Sequence, residues 1–153
     1  LTVHRPDDEA VQEFVARNGR DGFYEGLPQR KACCFVRKVL PLGRALEGRD
    51  AWITGQRREQ ALSRGALAEA EQDSERGIAK YNPLAEWSWG DVLAYAAQYD
   101  IPTSALYARG YVSIGCEPCT KAIRPGEDPR NGRWWWENQD GKECGLHKNT
   151  VAR

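Results

Sequence analysis

The chain has 153 residues, 41% of them hydrophobic and 29% charged, and its formal net charge is zero. That length suffices for one domain with a core, and the zero net charge argues against wholesale binding to nucleic acid or to a membrane. No apolar run approaches the roughly 20 residues of a membrane span, and no signal-peptide pattern opens the chain. With an odd total of five cysteines, metal or redox roles are favoured over disulfides, so we expect a cytoplasmic protein.

The first third of the chain predicts two helices. Apolar residues at helical spacing indicate a first helix that starts near Asp8 and stops near Asn18. A second helix is predicted over about residues 29–40, and it carries the adjacent Cys33 and Cys34. Pro41 should interrupt this helix, because proline lacks the N–H that a helix interior needs.

Two short strands and a further helix follow. Residues 51–54 are typical of a buried strand, and residues 78–81 are predicted to form another strand. The charged residues 56–77 between them are interpreted as a solvated connection. Ser88 is the candidate cap of the next helix, with Asp91 at its third position. Strands that alternate with helices predict an α/β fold, with a layered parallel sheet, flanking helices and an irregular C-terminal segment.

The cysteines form two pairs and a single residue. Cys33 and Cys34 are adjacent, and Cys116 and Cys119 form a C-x-x-C motif. Neighbouring helix residues point about 100° apart, so the adjacent pair does not readily face one small ion. A cubane iron–sulfur cluster offers four iron corners that each take one thiolate. Zinc, a dithiol redox pair and plain burial of the adjacent pair remain alternatives.

Basic residues accompany this cysteine set. Lys38 lies one helical turn after the adjacent pair, on the same face as its second cysteine. Arg57 and Arg64 follow the end of a predicted strand, where layered α/β folds commonly bind ligands. Arg130 and Arg133 lie among glycine and proline residues. Because arginine forks suit phosphate and sulfate oxygens, we predict an anion pocket; the alternative for each residue is an exposed surface charge.

The fifth cysteine, Cys144, has a different setting from the other four. It lies between an acid and a glycine, with His147 three residues later. A thiol becomes a useful nucleophile where cationic neighbours favour its thiolate, and His147 is a candidate neighbour. The alternative is an unreactive cysteine beside a surface histidine.

Four motifs occur in a specific order, and together they resemble assimilatory adenylyl-sulfate (APS) reductase of the APS/PAPS reductase family. The resemblance covers about residues 3–148. The motifs are Arg30-Lys31-Ala32-Cys33-Cys34 with Lys38, then Cys116-Glu117-Pro118-Cys119, then Arg130-Asn131-Gly132-Arg133-Trp134, and finally Glu143-Cys144-Gly145-Leu146-His147.

The resemblance implies a fold similar to the adenine nucleotide alpha-hydrolases and one catalytic domain over residues 1–153, with the nucleophile in segment 134–153. It implies that Cys144 is that nucleophile. It also implies a [4Fe-4S] cluster on Cys33, Cys34, Cys116 and Cys119. The substrate contacts that it implies are Lys38, Arg57, Arg64, Arg130, Arg133 and His147.

The implied reaction is thiol-dependent reduction of APS to sulfite and AMP through an enzyme S-sulfocysteine, in sulfate assimilation. Thioredoxin or glutaredoxin would be the reductant. No nucleic acid or membrane partner is expected. A homo-oligomer is compatible with the family. The family's nucleotide-binding loop has no match here, so we expect the N-terminal part of the fold to be absent from this chain. PAPS reductase and a zinc-binding, non-enzymatic module are the competing interpretations.

Overall fold

The structure, a computed structural model, describes residues 1–138 and 142–147. These residues form two compact units. Unit 1 comprises residues 1–49, 136–138 and 142–147, and unit 2 comprises residues 50–135. The predicted segment 134–153 therefore lies partly outside the described residues, and the prediction of a single catalytic domain stays a prediction.

The α-helices of unit 1 are α1 (Asp8–Asn18), α2 (Leu27–Cys34) and α3 (Leu40–Leu46). The bounds of α1 agree with its prediction for a local reason. The Asp7 side chain accepts a hydrogen bond of 3.1 Å from the Ala10 N–H at the start of the helix. Gly19 ends it with a φ of 76°, a conformation in which glycine meets no steric penalty.

Pro41 does not interrupt the second helix, and that part of the prediction is wrong. A π-helical turn, Phe35–Val39, joins α2 directly to α3. In this turn the Leu40 N–H bonds to the Phe35 carbonyl, five residues back. Proline in a regular α-helix lacks one hydrogen bond and collides with the carbonyl four residues earlier, and the wider turn provides room for it. The adjacent cysteines therefore lie at the end of α2, just before this irregular turn.

An aromatic cluster joins the C-terminal segment of unit 1 to its helices. The rings of Tyr24 and Trp136 meet edge to face, with their centroids 4.4 Å apart. Phe23 is buried beside them, and Phe14 of α1 is also buried. Large aromatic side chains dominate the burial energy of small cores, so Trp136 fixes the start of the segment that leads to Cys144.

The sheet of unit 2 has three strands, β1 (Ala51–Ile53), β2 (Ala70–Asp73) and β3 (Ile78–Tyr81), in the order β1-β3-β2. β1 and β3 pair in parallel, which confirms the α/β class and the existence of both predicted strands. The prediction that the first strand is buried is wrong for Ala51 and Ile53, which are exposed, because β1 lies at the edge of this sheet. β2 pairs antiparallel with β3.

β2 lies within the charged stretch that was interpreted as a solvated connection, so that interpretation is wrong for residues 70–73. The alternating acids are the period-2 pattern of a strand. Glu71 lies opposite Lys80 of β3, and its Oε1 accepts a hydrogen bond of 2.6 Å from the buried Lys80 Nζ.

Asn82 lies directly after β3 and holds the loop that begins at Thr54, after β1. Its side chain is fully buried and bonds to Thr54, to the Ala68 carbonyl and to Glu71. Thr54 in turn donates its N–H to the Tyr81 carbonyl, at 2.8 Å. Because a buried polar group is costly unless it is hydrogen-bonded, this network holds the loop after β1 in one conformation.

The remaining α-helix of unit 2 is α4 (Trp89–Gln98), and Ser88 and Asp91 form the predicted capping box at its start. The rest of the described chain is irregular apart from short 3₁₀ turns. These turns are Gly22–Tyr24, Arg58–Gln60, Leu62–Arg64, Tyr107–Arg109, Glu117–Cys119 and Pro129–Gly132. No helix in the described part of the chain combines the length and apolar character that a membrane span requires.

Candidate anion-binding cavity and thiol groups

A cavity of about 600 Å³ lies within unit 2 and is lined by four of the predicted substrate-binding residues. They are Arg57, Arg64, Arg130 and Arg133, which come from two stretches of chain more than 60 residues apart. Among the described residues that line the cavity, Glu59 is the one acid. The cavity is therefore strongly positive, as a site for a multiply charged anion requires.

Arg57 and Arg64 are held by the short turns that follow β1. Both are buried, and Gln60 connects them, because its Oε1 accepts from the Arg57 N–H at 3.1 Å and from Nη1 of Arg64. The Arg57 Nη1 also donates to Glu59 Oε2 at 2.8 Å and to the Trp87 carbonyl at 3.1 Å. These bonds fix the two guanidinium groups before any ligand arrives.

Arg130 and Arg133 are placed by the indole ring of Trp134. Their guanidinium carbons lie 5.6 Å and 4.5 Å from the ring centroid, within the range of a cation–π interaction. Trp134 is 1% exposed, and its φ of 42° is unusual for a bulky residue. Arg133 also donates from Nη1 to the Ile114 carbonyl at 3.2 Å. A strained, buried tryptophan thus supports two cations at the cavity.

The C-x-x-C motif is hydrogen-bonded to this arginine segment. Cys116 and Cys119 flank a 3₁₀ turn, in which the Cys119 N–H donates to the Cys116 carbonyl at 2.9 Å. The Trp134 N–H donates to the Cys119 carbonyl at 3.1 Å, and Thr120 pairs with Arg133 in an isolated β-bridge. Two predicted parts of the site, one metal-binding and one anion-binding, therefore share a backbone network inside unit 2.

The other predicted residues lie in unit 1, where Cys34 is 4% exposed. Burial raises the pKa of its thiol. Lys38 and Arg30 oppose this rise, and the interaction with Cys144 adds to it. Lys38 lies in the π-helical turn that follows Cys34, and its predicted role as a substrate contact stays a prediction. His147 lies in the bend that follows Cys144.

None of the five cysteines, all of which the structure describes, forms a disulfide, and the two pairs belong to different units. No group of three or more His, Cys, Asp or Glu side chains is gathered for a metal ion in the described parts of the chain. The chemistry of the donor set nevertheless suits an iron–sulfur cluster. The four paired cysteines are not in disulfides, Cys34 and Cys119 are buried, and cations adjoin Cys34.

Residues 1–122 match the phosphoadenosine phosphosulfate reductase domain. An adenosine 5'-phosphosulfate reductase from Burkholderia cepacia is 60% identical over 147 residues, or 96% of this chain and 59% of that protein. The chain belongs to the APS/PAPS reductase family.

Other family members extend the comparison. The enzyme of the same name from Allochromatium vinosum is 50% identical over 97% of this chain and 58% of its own length. A crystal structure of phosphoadenylyl-sulfate reductase from Candida auris, a phosphate complex, has a TM-score of 0.56 and 31% identity. That alignment covers 73% of this chain and 51% of the other. The chain thus spans just under three fifths of the length of these bacterial family members.

Sequence reasoning missed three residues that shape these groups. Trp134, named from the sequence only as part of a motif, lies beside two arginines of the cavity. Gln60 was not considered, although the spacing of Arg57 and Gln60 is that of a helix cap. Arg30, also named only as part of a motif, is completely buried. Its position next to the adjacent cysteines was the available signal.

Proposed function

We propose that the protein is an APS reductase, which reduces APS to sulfite and AMP at the expense of a protein dithiol. The observation that carries this proposal is the convergence of Arg57, Arg64, Arg130 and Arg133 on one cavity. Family membership and the names of relatives that are 50–60% identical support the choice of substrate.

The cavity suits the phosphosulfate group of APS. Arginine forks bind tetrahedral oxyanions through two parallel N–H groups, and all four guanidinium groups carry a full charge at neutral pH. Glu59 and the Trp87 carbonyl hold the Arg57 guanidinium group, and Gln60 holds that of Arg64. Arg133 lies against Trp134, so these groups are oriented in advance. Pre-oriented charges favour a transition state in which negative charge builds up on the phosphate as the S–O bond breaks. The phosphate complex of the Candida auris protein is consistent with anion binding in this family.

Cys144 is the proposed nucleophile. Its thiolate attacks the sulfur of the sulfonyl group, an S–S bond forms, and the S–O bond breaks with its electron pair leaving on AMP. The product is an enzyme S-sulfocysteine. Of the five thiols, Cys144 is the one outside the two pairs, and it is half-buried within unit 1. Lys38 and His147 are the cationic candidates in the same unit for contact with the anionic substrate.

A dithiol protein of the thioredoxin or glutaredoxin class completes the reaction. Its thiolate attacks the sulfur of Cys144, which releases sulfite and forms a mixed disulfide. The second thiol of the partner then displaces the Cys144 thiolate. The partner dithiol is oxidised by two electrons and sulfate sulfur is reduced by two. We place this reaction in the cytoplasm, where such dithiols are kept reduced.

The four paired cysteines are the proposed ligands of a [4Fe-4S] cluster, namely Cys33, Cys34, Cys116 and Cys119. When bound, the cluster would supply a fixed charged centre and local order, because thiols already carry both electrons of the reaction. Lys38 and Arg30 are suitably placed to offset negative charge at Cys34. A visible spectrum with iron and sulfide analysis tests this part alone: brown iron–sulfur protein supports it, and colourless zinc protein contradicts it.

The substitution Cys144→Ser tests the proposed chemistry. We expect the variant to release no sulfite from APS, to gain no sulfonate by mass spectrometry and to keep its visible absorbance. Cys119→Ser is the contrasting variant, because loss of a ligand should bleach the protein. If Cys144→Ser still turned over, the nucleophile assignment would be wrong.

PAPS reductase is the second candidate function, because the matching domain and the Candida auris structure carry that name. PAPS differs from APS by one phosphate on the ribose. The cluster ligands favour APS, since PAPS reductases generally lack them. Sulfite release from equal concentrations of the two substrates decides between the candidates.

A further inference from the structure

Arg30 of α2 binds the segment that carries Cys144. Its Nε and Nη2 donate to the two carboxylate oxygens of Glu137, both at 2.9 Å. Its Nη1 donates to the Glu143 carbonyl at 2.7 Å. Glu143 is the residue before Cys144, so one guanidinium group contacts the segment at two points six residues apart. We name Arg30, the Glu137 carboxylate and the Glu143 carbonyl the arginine clamp.

The arginine clamp also contacts the helix end that carries the adjacent cysteines. The Cys34 thiol, one turn further along α2, interacts with the Arg30 side chain. Cys34 in turn interacts electrostatically with Cys144. The guanidinium group therefore lies where α2 meets the nucleophile segment, and all of these residues belong to unit 1.

Because the arginine clamp is buried, water does not readily replace its hydrogen bonds. The residue is 0% exposed, and the Glu137 side chain is 9% exposed. Burial by itself lowers the pKa of Arg30, but the hydrogen bonds and charge of Glu137 more than offset this, and the pKa is raised. A buried charge that loses its partner is strongly destabilised, so both contacts with the segment are held together. Trp136, packed against Tyr24, restrains the same segment one residue before Glu137.

We propose that Arg30 is a positioning residue for the nucleophile, which holds the Glu143–Cys144 backbone against α2 in the orientation that the thiol needs to attack. This inference rests on the proposed function, in which Cys144 is the nucleophile. In this role Arg30 acts through the geometry of its planar guanidinium group. Its positive charge alone would not suffice, because Lys38 also supplies a positive charge. Misplacement of a reacting group by about 1 Å can cost on the order of 100-fold in rate.

Glu137→Gln is the principal test, because it weakens the arginine clamp and leaves the Arg30–Cys34 contact in place. In the intact protein we expect the single-turnover rate of Cys144 sulfonation, followed by mass spectrometry, to fall about 10- to 100-fold. The affinity for APS should stay within about twofold, because the four cavity arginines are untouched. Alkylation of Cys144 by iodoacetamide without substrate should become several-fold faster, since the segment is released.

Arg30→Lys separates geometry from charge. Lysine keeps the positive charge but cannot form the two-point fork, so it should be as slow as Arg30→Met if positioning is the role. Glu13→Gln and Arg17→Met are matched controls, because that pair is exposed and lies 3.4 Å apart on α1. Both controls should behave as the unaltered protein does.

Three results would overturn the inference. Unchanged sulfonation and alkylation rates in Glu137→Gln would show that the arginine clamp does not position Cys144. Full activity of Arg30→Lys would show that charge alone suffices. A fall in rate accompanied by an equal loss of APS affinity or of visible absorbance would show general structural support. If APS sulfonated no cysteine in the unaltered protein, the proposed function would fail, whereas the alkylation rates would still report on the arginine clamp.

Discussion

Gly115→Ala is expected to weaken anion binding without unfolding the protein. A Cβ placed on Gly115 would overlap the guanidinium group of Arg133, whose three terminal atoms are its nearest neighbours. The flexible end of a side chain can move aside, so the new methyl group should displace the Arg133 fork from the cavity instead of distorting the backbone.

The size of the effect follows from what Arg133 contributes. A hydrogen bond between charged groups is worth about 1.5–3 kcal/mol, and about 1.4 kcal/mol changes affinity tenfold. We therefore expect sulfate and APS to bind about 10- to 100-fold more weakly, as measured by calorimetry on the intact protein. The midpoint of thermal unfolding should change little.

A double-mutant comparison shows whether the effect passes through Arg133. If it does, Gly115→Ala combined with Arg133→Ala should bind no more weakly than Arg133→Ala alone. Gly43→Ala is the control, because no described atom beyond its chain neighbours and its own helix backbone lies within 4 Å of the added Cβ. Additive losses in the double variant, or ordinary affinity in Gly115→Ala, would refute this account of the cavity.

Two further predictions concern stability. Glu71→Gln leaves the buried Lys80 ammonium without its ion-pair partner, so the free energy of unfolding in urea should fall by about 3 kcal/mol, whereas the exposed Glu69→Gln should have little effect. Hydrogen bonds from the side chain and backbone of Ser88 lower the pKa of Asp91. This stabilisation is present above the ordinary carboxyl pKa and is lost as pH falls through the lowered value. Carboxyl titration by NMR should show a higher Asp91 pKa in Ser88→Ala, although still below the ordinary value, because alanine removes the side-chain bond and keeps the backbone N–H bond. An unchanged Asp91 pKa would contradict the capping box.

Local rules predicted α1 and α4 well because the signals of these helices lie within a few residues. Asp7 and Ser88 cap α1 and α4, and each cap is readable from adjacent sequence. β2 was missed because its acids look solvent-exposed, and the partner that makes Glu71 favourable, Lys80, is supplied by another strand. Charge patterns alone do not distinguish a solvated acid from one that pairs with a buried lysine.

The candidate site shows the same contrast between features that could be predicted and features that depend on contacts between distant residues. The family resemblance named Arg57, Arg64, Arg130 and Arg133 as substrate contacts, and the structure brings these four residues to one cavity. Neither the resemblance nor the local sequence predicted that Trp134 would support two of these arginines, or that Arg30 would be buried beneath the Cys144 segment. Both depend on contacts between residues distant in sequence, which no local pattern specifies.

The hydrogen bonds between the C-x-x-C turn and the arginine segment predict that iron removal weakens anion binding. A cluster held by Cys116 and Cys119 would fix the turn whose Cys119 carbonyl accepts from the Trp134 N–H at 3.1 Å. Trp134 in turn supports Arg130 and Arg133. Chelation of iron should therefore lower the affinity for sulfate several-fold, and by linkage saturating sulfate should slow bleaching. Mutating Trp134 to Phe keeps the ring stacking and the backbone bond, so it should preserve this coupling. Equal sulfate affinity before and after chelation would show that the two groups are independent.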